Sequence, residues 1–188
     1  MVRFGETMAI KLSTLAVALG GFMALINAYG VAKPAAFAAA ARKFPRSIPI
    51  GWVLTLGGAA WFMWQLNREN ISDFEPIKPY LHALIALVAI GTCLFVNDFL
   101  AVRGLAVVIL LVAKLILDTA RWVDTPWCVV IRLWAYFFVI AGIWLTVSPW
   151  RLRDGIQWAT LNDSRTRLFS GLRCAFGLFV AALGLAVY

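Results

Sequence analysis

Lys114 and Asp118 are the side chains in this sequence whose types and spacing offer the clearest chemistry. They stand four residues apart, so they share one face of a helix, and Arg121 extends the same stripe. The stretch that holds them, VRGLAVVILLVAKLILDTAR (Val102 to Arg121), is dominated by Leu, Val, Ile and Ala. At ~1.5 Å per residue it is long enough to cross a bilayer. An ionised group inside such a stretch costs roughly 2.5–3.5 kcal/mol on insertion scales unless it is paired or reaches the interface. Three roles answer that cost. The pair can be structural and face the helix bundle, with Lys114 reaching toward the interface. It can serve an ion or proton pathway. It can meet a membrane helix of another subunit.

The other chemistry-bearing residues are sparse. His82 stands near one end of an apolar run, with no second ligand in view for haem or a pigment. Cys93, Cys128 and Cys174 are dispersed, form no C-x-x-C, and read as small buried hydrophobes. Asn97, Asp98 and Arg103 read as turn and anchor residues. The tryptophans read mostly as interfacial belts. No H-E-x-x-H, G-x-S-x-G or Gly-rich phosphate loop occurs, and no acid, base and nucleophile converge. The sequence therefore points to no enzyme, no metal site and no cofactor.

These groups must be positioned by elements whose solvent is lipid. Of 188 residues, 63% are hydrophobic and 14% charged, against ~45–50% and ~25% in an ordinary soluble domain. The net charge of +8 comes from Lys and Arg gathered in short loops beside apolar runs. That is the positive-inside pattern of membrane proteins rather than a nucleic-acid footprint. The pattern predicts an all-α, polytopic membrane protein forming a single integral membrane domain over residues 1–188. About six transmembrane helices are expected, near 12–29, 50–66, 80–96, 102–120, 128–147 and 168–188, arranged as three helical hairpins.

The first run, about Leu12 to Tyr29, is long for a signal-peptide core and reads as an uncleaved helix. Its Ala16, Gly20 and Ala24 form a small-residue stripe that admits another helix closely. The linker KPAAFAAAARKFPRS (Lys33 to Ser47) opens at Pro34 and stops at Pro45. Its Lys33, Arg42, Lys43 and Arg46 suit an interfacial helix against anionic headgroups. The second run carries Gly57 and Gly58 as a smooth packing face. The loop after it holds Glu69, Asp73 and Glu75 and reads as outer.

The last linker runs from Ser148, able to cap, and Pro149 through Arg151, Arg153 and Trp158 to Arg165 and Arg167. It reads as a second amphipathic interfacial helix, with Asn162, Asp163 and Ser164 available to cap the final span. That span carries Gly171, Ala175, Gly177, Ala181 and Gly184 as packing positions. The excess of Lys and Arg, Arg103 included, puts linkers one, three and five in the cytoplasm and the N-terminal Arg3 and Lys11 on the other side. The first and last hairpins share a plan that suggests an internal repeat.

SPWRLRDGIQWATLNDSRTRLFSGLRCAFGLFVAALGLAVY (Ser148 to Tyr188) resembles the end of the small YjeT-type inner-membrane proteins. Those are two-helix proteins with a Pro-led interfacial linker, an arginine-bearing boundary and a Gly-rich final span. The resemblance covers the last third of the chain and, more loosely, the first third. It implies a topology and a bacterial-type inner membrane, and no activity.

Two functions are compatible with this reading. One is a non-catalytic subunit or scaffold of a larger membrane complex, whose partners are lipids and other integral membrane proteins or copies of itself. The other is a small oligomeric transporter or channel centred on Lys114 and Asp118. Broken helices at Gly20-Gly21 or Gly57-Gly58 would favour transport.

Overall fold

The computed structural model describes residues 11–68, 72–96, 98–121, 123 and 125–188; the side chains of 72–74 are likewise outside the description. Arg3, Glu69, Asn97 and Asp124, and the side chain of Asp73, thus lie outside the described residues. Within them the chain is helical and contains no strand. The helices are α1 (Leu12–Ala32), α2 (Pro34–Lys43), α3 (Ile48–Arg68), α4 (Lys78–Phe95), α5 (Leu100–Ala120), α6 (Cys128–Val147), α7 (Trp150–Ala159) and α8 (Asp163–Ala186).

The helix limits follow local chemistry. Pro34 opens α2, where its missing N–H is not needed, and Pro45 sits in a 3-10 turn, Phe44–Arg46, that ends the basic segment. Both ten-residue linker helices, α2 and α7, form where the Pro-led basic segments foretell them. Asn162 takes the extended N-cap conformation before α8 but makes no side-chain cap; Thr166 Oγ1 donates to its carbonyl instead. Phe99 precedes α5 in the left-handed region at φ 55°. That conformation is costly for an aromatic residue, and the Arg153 guanidinium lies 5.9 Å from its ring centroid.

Five helices, α1, α4 (with the turn before it, from Glu75), α5, α6 and α8, are each long and apolar enough to cross a membrane. The second expected span differs. α3 meets the same measure only together with the segment Pro34–Arg46, across a 66° bend. Its tryptophans, glycines and Gln65 dilute its hydropathy although its length is ample. The Gly20-Gly21 and Gly57-Gly58 pairs do not break their helices; α1 and α3 run through them without interruption.

The chain divides into two compact units. One comprises the described parts of Met1–Ala40, Val112–Phe137 and Gln157–Tyr188; the other comprises those of Ala41–Leu111 and Phe138–Ile156. In the first unit α1 and α8 pack along their lengths, antiparallel. Gly184 lies against Ser13, Ala16 and Val17, Gly20 against Gly177 and Ala181, and Gly30 against Ser170. A Cβ on Gly20 would stand 2.5 Å from the Gly177 carbonyl oxygen, so the two backbones touch. In the second unit α3 and α5 pack parallel. Gly51 meets Leu100 and Ala101, Gly104 meets Leu54 and Thr55, and Gly58 meets Val107.

Large apolar side chains such as Leu25, Leu87, Phe95 and Leu185 point outward. That is the arrangement of helices whose solvent is hydrocarbon, where association rests on close packing rather than on hiding apolar surface. By length and composition the chain has, among the described residues, five helices, or six with the bent pair, able to cross a membrane. α5 has the largest buried share of the five, 44% of its most apolar window against 11% for α4.

Candidate functional site

Lys114, Asp118 and Arg121 stand together at the C-terminal end of α5, as their spacing requires. Lys114 Nζ donates to Asp118 Oδ2 at 2.6 Å, and Arg121 Nη2 lies 3.7 Å from Asp118 Oδ1. One carboxylate is thus flanked by two cations on successive turns. The opposite face of the same turns is buried, with Ala113, Ile116 and Ala120 each fully enclosed.

The structural reading of this pair had it facing the bundle. The side chains instead point away from it: Lys114 is 43% exposed, Asp118 46% and Arg121 66%. Helical periodicity explains the outcome. α5 offers one face to its neighbours, and Ala113, Ile116 and Ala120 occupy it, which turns positions 114, 118 and 121 outward.

Arg132, one turn into α6, sharpens the electrostatics of this end. Its Nη2 donates to the Ala120 carbonyl at 2.7 Å and to the Val123 carbonyl at 3.0 Å. A guanidinium there satisfies carbonyls that the end of α5 leaves open and sits at the negative end of its dipole. The same dipole disfavours a carboxylate, and Lys114 and Arg121 set two countercharges beside Asp118. In the sequence Arg132 stands near the start of the fifth apolar run. Its signal was an arginine inside an apolar helix with no acid within four residues. Tyr188 adds a further tie, its hydroxyl donating to the Trp127 carbonyl at 2.7 Å.

The remaining candidates do not join this cluster. His82 holds its Nδ1 2.6 Å from the Lys78 carbonyl, which makes Nδ1 the donor and leaves Nε2 buried without a partner among the described residues. Arg103 Nε and Thr55 Oγ1 are likewise buried without partners there. Cys93, Cys128 and Cys174 are free thiols, and Cys128 Sγ accepts from Thr125 Oγ1 at 3.3 Å. Among the described residues no three His, Cys, Asp or Glu side chains come together as a metal site.

The basic linker residues are placed along the ends of helices. Lys33 is the C-cap of α1, and Arg42 and Lys43 form the last turn of α2, with Arg46 in the turn after it. Arg151 and Arg153 lie in α7, where Arg153 pairs with Asp154 at 2.8 Å. Arg165 and Arg167 lie in the first turns of α8, and the Arg165 guanidinium stands 5.7 Å from the Trp158 ring centroid. The ionic cluster on α5 can hold a charged or polar group of a neighbour; it presents no nucleophile and base in contact. No protein-family model, curated protein or solved structure matches the chain.

Proposed function

We propose that the chain is a non-catalytic integral membrane subunit, a scaffold that joins a larger membrane complex through the outward face of α5. The observation that carries this reading is the exposure of the Lys114–Asp118–Arg121 cluster on a span otherwise made for lipid. Hydrocarbon is a poor neighbour for a half-exposed ion pair. A partner helix with a polar side chain at that depth would cover the exposed pair, and interhelical polar contacts are one way that membrane helices join.

Six crossings, with linkers one, three and five in the cytoplasm of a bacterial-type inner membrane, fit the packing directions. α1 and α8 are antiparallel, as a first and a sixth crossing are. Without α3, α8 would be the fifth crossing and would run parallel to α1. α3 and α5 are parallel, as a second and a fourth crossing are. In this arrangement α2 and α7 are the interfacial helices, and Lys33, Arg42, Lys43, Arg46, Arg151, Arg153, Arg165 and Arg167 all fall on the cytoplasmic side. Cysteines introduced as Arg42→Cys and Gln157→Cys then label from the cytoplasmic side, and Glu75→Cys only from the other. Labelling of Arg42→Cys and Glu75→Cys from one side removes the six-span topology.

The functional test uses mild-detergent extraction from native membranes. The wild-type chain is expected to carry a partner at fixed stoichiometry. Lys114→Met leaves Asp118 to the longer contact with Arg121, and Asp118→Leu removes the carboxylate from both cations; each lowers the melting temperature and the yield of complex. The double change leaves only Arg121, the most exposed of the three and just past the helix end, so it recovers much of the melting temperature while the partner is still lost. Ion flux through vesicles holding the chain alone, abolished by the double change, would replace the scaffold with the oligomeric transporter. Single variants as stable and as fully assembled as wild type would remove any role for the cluster.

A further inference from the structure

In the first unit, the seam between α1 and α8 is flanked on one side, toward the end where Gly30 meets Ser170, by an open depression. Ala28, Val31 and Ala32 of α1 and Gly171, Ala175 and Leu178 of α8 line an open groove of about 390 Å³ there, with Cys174 between them. All of its walls are apolar or small. Gly171 has nothing within 4 Å of the position a Cβ would take, so the groove is not a seam left by an omitted side chain of this chain.

The groove has a charged end. In the antiparallel register Gly30 lies against Ser170, so Lys33 and Arg167, each three residues further along its helix in opposite directions, come to the same level. Arg167 is one turn before Gly171 on the same stripe of α8. Both cations are exposed, and neither makes an ion pair among the described residues; Asp163, one turn beyond Arg167, does not pair with it.

From Arg167 to Leu178 the groove advances about 16 Å along α8, at ~1.5 Å per residue. Half of a hydrocarbon core of ~30 Å is about the same depth. A partner helix would use a whole span, whereas this groove ends after one leaflet. We infer that it is a binding site for one anionic phospholipid, whose phosphate sits between Lys33 and Arg167 and whose acyl chain lies along Gly171, Ala175 and Ala28. The site is separate from the α5 cluster; it rests on α1 and α8 spanning the membrane and not on the presence of a partner subunit.

The test reconstitutes the full chain in phosphatidylcholine bilayers with a trace of chain-labelled phosphatidylglycerol or chain-labelled phosphatidylcholine, and reads the motionally restricted fraction by electron paramagnetic resonance. Wild type is expected to restrict the phosphatidylglycerol label in preference to the phosphatidylcholine one. Lys33→Gln and Arg167→Gln each lower that preference roughly fivefold, the worth of one cation near an anionic headgroup. Gly171→Leu, which fills the groove and leaves both cations in place, removes it as well. Arg42→Gln, a change of the same charge in α2, leaves it unaltered. Equal restriction of the two lipids by wild type overturns the inference. So does loss on Gly171→Leu with no response to either charge change, because the occupant would then be an apolar surface without a headgroup. Because the readout is lipid alone, failure here leaves the complex-forming role of Lys114 and Asp118 standing, and failure of that role leaves this site standing.

Discussion

The two adjacent-glycine pairs, Gly20-Gly21 in α1 and Gly57-Gly58 in α3, look alike in sequence and do different work. In each pair one glycine faces a neighbouring helix and the other faces open space. Gly20 meets backbone: a Cβ there would stand 2.5 Å from the Gly177 carbonyl oxygen and 2.7 Å from the Ala181 nitrogen. Gly58 meets a side chain, Val107, whose Cγ1 would lie 3.1 Å away. Gly21 and Gly57 have nothing within 4 Å. Close approach at Gly20 is therefore fixed by main chain that cannot give way, while at Gly58 it is bounded by a side chain, although α3 and α5 also meet at backbone where Gly104 faces the Thr55 nitrogen. In lipid, where hiding apolar surface gains little, that difference separates a position that fixes the spacing of a helix pair from one that tolerates a change.

The largest effect expected from the comparison is at the α1–α8 seam. Gly20→Ala and Gly177→Ala each force the two helices apart, since the Cβ of either would stand within 2.7 Å of backbone oxygen on the other. Overpacking of this kind costs about 1–3 kcal/mol, and the upper end applies because backbone is the obstacle. The melting temperature in mild detergent should fall by several degrees for both. Gly21→Ala, one position along, should not lower it. Equal losses at 20 and 21 would break the distinction and point to an effect of glycine on the helix itself.

How far this was readable from sequence depends on what the pattern encodes. The stripe Ala16, Gly20, Ala24 was legible because a spacing of four places three small residues on one face, and all three are buried. Its partner was not, since nothing local in α1 names a helix about 150 residues later. On α8, five small residues stand as packing positions in the sequence. Gly177, Ala181 and Gly184 do meet α1, while Gly171 and Ala175 line the open groove. The same limit governs Lys114 and Asp118. Their spacing fixed that they share a face and pair, and it was silent on which face. In a soluble protein polarity marks the outward side. In lipid both sides are apolar, so Ala113, Ile116 and Ala120 facing inward and Lys114 facing outward could not be told from the reverse. Helix limits fell within a few residues of expectation because prolines and charge clusters mark them. α3 lost apolar signal to tryptophan and glycine, the residues that suit interfaces and close contacts.

A smaller effect, and one of either sign, is expected in α3. Replacing glycine by alanine inside a helix is favourable by about 0.8–1.0 kcal/mol from propensity alone. At Gly58 the new methyl presses on Val107, a β-branched side chain with one preferred rotamer in a helix, so relief comes from a slight shift of α3 against α5. The two terms are of similar size, and Gly58→Ala should change stability by no more than about 0.5 kcal/mol in either direction. Gly57→Ala meets no obstacle and should keep most of the propensity gain, raising the melting temperature slightly. The ordering Gly57→Ala above wild type, Gly58→Ala near it, and Gly20→Ala well below is the sharp form of the comparison. Measured on the isolated chain and again on the assembled complex, it also locates contacts that the chain alone does not make. If Gly57→Ala stabilises the isolated chain yet weakens the complex, the open side of α3 faces a partner, and Gly57 serves between subunits the role that Gly20 serves within one.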